Sequence, residues 1–302
     1  MDVTAILARF LDEPRVARVR AVLDTYGRAA GGLLANGLAF SALFAAIPTM
    51  LLVLGLAGAV TNDAAVRQSI GDALIAAFPP LEELIGAALD ALSSGAVAAS
   101  ILGLIGLVWT VSQLYGALDV AFARIFSDTP ERDIVRRTAR GLLVVGILGA
   151  VIVGFVVAAA LATALDSATR IDIPFARSIG TLAGWLPFLT AISIGGVLII
   201  YRTLPPKAPA WRSAALPAVI VGLAFVVLTQ VFTFLVPRLV GVAALAGSIA
   251  SAFVALAWLS FSFQALLYGA AWVRVREDER RARESAGLGG AAAPAEPGVG
   301  GE

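Results

Sequence analysis

The stretch Asn36–Val60, NGLAFSALFAAIPTMLLVLGLAGAV, decides the fold. It runs for about 25 residues without a charged side chain, and at about 1.5 Å per residue it exceeds the ~30 Å hydrocarbon layer of a bilayer. An apolar run of that length reads as a membrane span, not as a soluble core helix. Its exceptions are Asn36 at the start, Ser41 one turn in, and Pro48 near the middle, where a helix would lose a hydrogen bond and bend.

Outward from this stretch the chain keeps the same character. Of its 302 residues 59% are hydrophobic and 14% charged, with a mean hydropathy of +0.91. A soluble domain carries about 25% charged residues, so the deficit points to a polytopic membrane protein. There is no cysteine, which removes disulfides and thiolate metal sites. There is no histidine either, which removes the commonest general base, zinc ligand and pH switch together. Lys207 is the one lysine among 22 basic residues, a usage typical of a GC-rich bacterial genome. The opening MDVTAILARFLDEPR does not read as a cleaved signal peptide.

Hydropathy predicts six spans, at about 36–60, 96–118, 141–165, 179–201, 214–236 and 242–273. Residues 1–35 read as an amphipathic helix interrupted at Pro14, either lying on the bilayer or packed on the protein's own cytoplasmic side. Residues 61–95 are rich in acid and punctuated by Pro79 and Pro80, which suits two short amphipathic helices. Residues 274–302 read as a charged segment followed by a disordered tail. Six spans place both termini on one side. Every basic residue except Arg67, Arg170, Arg177 and Arg238 falls on that side, so the positive-inside rule puts the termini in the cytoplasm and 61–95 outside.

The order and spacing of four segments resemble the YihY/virulence factor BrkB family of bacterial inner-membrane proteins, for which an older label is ribonuclease BN-like. They are LAFSALFAAIPTMLLVL in the first span, WTVSQLYGALDVAFARIF from Trp109, the turn from Tyr201 to Pro205 followed by Trp211, and WLSFSFQALLYGA near the end of the sixth span. The resemblance covers about residues 20–275. It implies a role in envelope integrity and, for some members, lipid export or resistance to serum killing. Two departures stand out. Ala123 occupies a position where many members carry Asn, and Gly269-Ala270-Ala271 stands where many have Gly-Ala-Glu, which leaves no carboxylate for a mechanism that needs one there.

The candidate chemistry is sparse. Acidic residues are spread over loops and alternate with arginine, as in Arg276-Glu277-Asp278-Glu279-Arg280, a pattern of solvated ion pairs rather than of a metal-holding nuclease site. No Gly-rich phosphate loop precedes a Lys-Ser/Thr pair. The arginines are accounted for by topology, with no need for nucleic acid. Those nearest the membrane, Arg15, Arg18, Arg20 and the run Arg280–Arg283, suit anionic lipid head groups. Asp119 sits at the end of the second span and has Arg124 within reach as a partner. Tyr201 reads as an interfacial aromatic, and Arg202 as a side chain snorkelling to head groups. Uncharged polar side chains inside spans, Asn36, Ser41, Gln113, Gln230 and Gln264 among them, serve either as inter-helix hydrogen bonds or as a substrate path.

The sequence therefore predicts an all-α polytopic membrane protein with six transmembrane helices plus short amphipathic ones. It reads as a non-enzymatic, cofactor-free inner-membrane envelope protein. Its partners are membrane lipids, and it either moves a lipid or amphipathic substrate or acts as a structural, partner-binding scaffold.

Overall fold

The computed structural model describes residues 13–60, 71, 72, 75, 81–126, 182–242 and 247–291. They form helices α1 (Pro14–Arg28), α2 (Gly31–Val60), α3 (Glu82–Ile125), α4 (Leu182–Thr203), α5 (Trp211–Val242) and α6 (Gly247–Ala291). This is an all-α membrane protein.

Helix α1 starts where the sequence allows it. Glu13 is extended, and Pro14 follows in the first turn, where its missing N–H and fixed φ cost nothing. It ends on Arg28, a cation at the negative end of the helix dipole. Ala30 then adopts a left-handed φ of 55°, and the chain turns by 60° into α2. Gly31 makes the turn tight: a Cβ there would lie 2.3 Å from the ring of Tyr26. The long apolar helix thus begins at Gly31, five residues before Asn36, and it stays helical through Pro48.

Helix α2 packs along α3, and α4 along α5. Helix α6 joins the two pairs, touching α1, α2, α3, α4 and α5. Among the described side chains a core cluster forms at the end of the bundle where Tyr26, Leu38, Phe122, Tyr201, Val221 and Leu267 meet. Small residues let the backbones close there. A Cβ on Gly222 would fall 2.8 Å from the backbone of Ile194, which holds α4 and α5 at near contact. On the outer side of α5, Ile220, Leu223, Val227, Val231 and Phe234 are exposed at helical spacing, as an apolar face turned to lipid should be.

The structure changes several expectations. Two helices are by themselves long and apolar enough to cross a membrane, Trp211–Leu235 within α5 and Ala252–Ala286 within α6. The bent pair Val16–Arg28 and Gly31–Ala46 makes a third if counted as one span, and Thr190–Thr203 is a shorter apolar helix. The described residues thus carry two or three spans where hydropathy predicts six; the expected span at 141–165 lies outside them. Residues 82–95 are not a separate short helix. They are the first turns of α3, whose 44 residues run unbroken because no proline or glycine pair interrupts them. The apolar part of α6 ends at Val273, but its helix continues to Ala291, past the point where the sequence suggests a disordered tail. Good helix formers and i,i+4 ion pairs such as Arg274–Asp278 at 2.9 Å carry it outward. Finally, α1 is packed along α6, from its apolar part into that extension. Arg18 Nε donates to Glu279 at 2.9 Å, and the rings of Tyr26 and Tyr268 stack with centroids 3.7 Å apart.

Candidate functional site

Two polar assemblies stand out in this apolar bundle. The first is a seam between α2 and α6. Ser260 and Gln264 lie one turn apart on α6, so they share a face, and Asn36 meets them from α2. Ser260 Oγ donates to Asn36 Oδ1, and Gln264 Nε2 donates to Ser260 Oγ at 3.3 Å. The amide nitrogen of Asn36 has no partner among the described residues. Asn36 is exposed, Ser260 and Gln264 are half-buried, and exposed aromatic rings border the seam. Phe40 and Phe44, 4.7 Å apart, continue the open side of α2, whereas the Phe261 ring turns toward Phe232 of α5, with centroids 6.5 Å apart. At membrane depth, a primary amide with its N–H donors unpaired costs about 1–3 kcal/mol. The seam is therefore an expensive surface unless something polar visits it.

The remaining uncharged candidates do not join it. Ser41 and Thr110 hydroxyls turn back onto their own helices, donating to Gly37 O at 3.0 Å and Gly106 O at 2.8 Å. Gln113 and Gln230 are exposed on α3 and α5. Pro48 faces α3, where a Cβ on Gly106 would make ordinary contact with it at 3.6 Å. Asp119 is buried and Arg124 exposed; five residues place them about 140° apart around α3.

The second assembly closes the core end of the bundle, beyond the apolar part of α6. Glu277 is only 4% exposed. Its carboxylate accepts from the backbone N–H of Ala210 at 3.2 Å and from the Ser213 hydroxyl at 3.0 Å. It also accepts from Arg280 at 2.7 Å and from Arg281 at 3.2 Å. Ala210 immediately precedes α5, and Ser213 lies in its first turn. Glu277 thus acts as the acid of a capping box supplied by another helix, against the positive end of the α5 dipole. The Arg280 hydrogen bonds are the main reason that its carboxyl is held down at about 2, with Ala210 and Ser213 adding to them and burial opposing them. Arg276 donates to Arg212 O at 3.0 Å, and Arg274 to Ile125 O at 3.1 Å, so the same stretch of α6 also ties down the start of α5 and the end of α3.

Tyr201 and Arg202 belong to this end, in roles unlike those the sequence suggests. Tyr201 is fully buried rather than interfacial, with its hydroxyl donating to Leu266 O at 2.8 Å. Gly269 makes room for it, since a Cβ there would lie 2.0 Å from that hydroxyl. Arg202 does not reach outward. Its guanidinium donates to Pro209 O and stacks 4.4 Å from the Trp211 ring, fastening the proline-rich turn. The cleft beside it is lined by Phe126, Pro206, Lys207, Arg274, Glu277, Asp278 and Arg281. It offers about 40 Å³, far below the ~300 Å³ at which small-molecule pockets begin.

Sequence reasoning missed Glu277, because arginines on either side make it look solvated. The signal was the register of α6: Leu266, Ala270, Val273 and Glu277 follow one buried stripe at steps of four, three and four. A carboxylate on such a stripe needs buried partners.

Taken together, these helices define a helical membrane protein that carries its polar groups between helices and at one bundle end. The family described as Virulence factor BrkB matches residues 22–293. The chain belongs to the YihY/BrkB virulence factor family. A UPF0761 membrane protein of Aggregatibacter aphrophilus (strain NJ8700) is 23% identical over 249 residues, covering 82% of this chain and 87% of the relative. No solved structure matches.

Proposed function

We propose that this is a non-enzymatic envelope protein of the bacterial inner membrane, with six spans and both termini in the cytoplasm. In this reading it moves a lipid or another amphipathic molecule between leaflets or out of the membrane. The observation that carries it is the Asn36–Ser260–Gln264 seam, where polar side chains lie open beside exposed aromatic rings. A head group can exchange hydrogen bonds along such a surface while its acyl chains stay in lipid, so no enclosed cavity is needed. The charge of Lys207, Arg274, Arg280 and Arg281 at the core end supports a cytoplasmic orientation for that end. Purified protein in liposomes carrying fluorescent phospholipids should speed their exchange between leaflets above the rate in empty vesicles. Exchange no faster than in empty vesicles, across several lipid classes, sinks the transport reading.

A second reading, a structural or partner-binding scaffold, is favoured by the cross-helix cap and by the small size of the cleft beside it. It expects Asn36→Leu and Gln264→Leu to leave function in cells intact while substitutions in residues 61–95 abolish it.

A further inference from the structure

Helix α1 presents three sides. One is docked on α6: Tyr26 and Ala29 are buried, and Arg18 is paired to Glu279. The second carries the charges Arg20, Asp24 and Arg28, all exposed. Between them runs an apolar strip of Val19 and Leu23, one turn apart, 60% and 51% exposed. Leu33, in the first turn of α2, is 74% exposed as well.

We infer that this strip is a membrane-docking surface for an anionic lipid leaflet, with Val19 and Leu23 at the acyl boundary and Arg20 on the head-group phosphates. Three observations choose lipid as the occupant. The strip is continuous with a helix that enters the bilayer, so lipid is already its neighbour. The 60° bend at Ala30 sets α1 at an angle to the long apolar helix α2, so with α2 upright in a bilayer α1 lies nearer the bilayer plane. The nearest exposed charge around the helix from Leu23 is Arg20, whereas Asp24 and Arg28 lie further round toward water. Arg18 takes no part, since Glu279 holds it, which narrows the sequence expectation of a general arginine contact. Docking by the adjacent side fixes α1 on α6 and leaves the strip facing outward. This inference stands whether or not the seam carries a substrate.

The chain has no cysteine, so single cysteines can be introduced directly. Val19→Cys, Leu23→Cys and, as the water-side control, Asp24→Cys would carry an environment-sensitive fluorophore in the full-length protein, reconstituted with brominated lipids. The expected result is loss of fluorescence at positions 19 and 23 but not at 24. The loss should be greater in phosphatidylglycerol than in phosphatidylcholine vesicles, and the difference should vanish in Arg20→Ala. Labels at 19 and 23 that are as open to aqueous iodide as the one at 24 overturn the inference. So does efficient Leu23→Cys disulfide cross-linking between two copies, which would mean that protein covers the strip. Equal loss in the two lipids overturns the assignment to anionic head groups.

Discussion

Glu277→Ala removes an acceptor shared by the α5 start and two guanidinium groups. It should destabilise the protein by about 1.5–3 kcal/mol, the range for hydrogen bonds to a charged group, read as a lower melting temperature in detergent. Glu277→Gln keeps the shape and part of the bonding and should fall between the two. The carboxyl titrates at about 2 instead of the ordinary 4.5, so the folded state favours its ionised form. The stability it lends is complete above pH 4.5 and is lost as pH falls toward 2. Across that window wild type should lose more stability than Glu277→Gln. Equal acid sensitivity in the two would show that the cap does not operate. None of this is visible in the local sequence, where Glu277 sits among arginines; it becomes visible only when α6 is read as one stripe from Leu266 onward. Asn36 is the opposite case. Its place at the edge of an uncharged run already marks it, but Ser260 is 224 positions away, and no local pattern pairs them.

Individual helices fit together through small residues at named positions. A methyl group at Gly269 would strike the Tyr201 hydroxyl at 2.0 Å and Val221 at 2.6 Å, so Gly269→Ala should break the Tyr201–Leu266 bond and cost about 1–3 kcal/mol. Ala30→Gly should act the other way. It relieves a left-handed residue of a strain of about 1–2 kcal/mol, partly offset by about 0.5–1 kcal/mol of added chain entropy in the unfolded state. A gain of a few tenths to 1 kcal/mol in thermal unfolding is expected, and a loss would mean that the turn is not as described. The long apolar run of α2 and the amphipathic character of α1 were legible in the sequence. The fusion of residues 82–95 into α3 and the extension of α6 to Ala291 were not, because both segments change polarity in the middle of a helix. Hydropathy sees the change of environment, while the backbone hydrogen bonds continue across it.

Across the whole molecule, α6 is the common wall. It contributes the seam toward α2, the buried stripe toward α3 and α5, and the charged extension on which α1 rests. Family membership rests on most of the chain, residues 22–293, while the proposed activity rests on one place where two distant segments meet. The direct test of that claim compares lipid exchange between leaflets in liposomes holding wild type, Asn36→Leu, Gln264→Leu and the Glu277→Gln control. Each seam variant should exchange lipid about tenfold more slowly, the equivalent of about 1.4 kcal/mol lost at the seam, and the control should change little at neutral pH. Seam variants that exchange lipid as fast as wild type would contradict the claim.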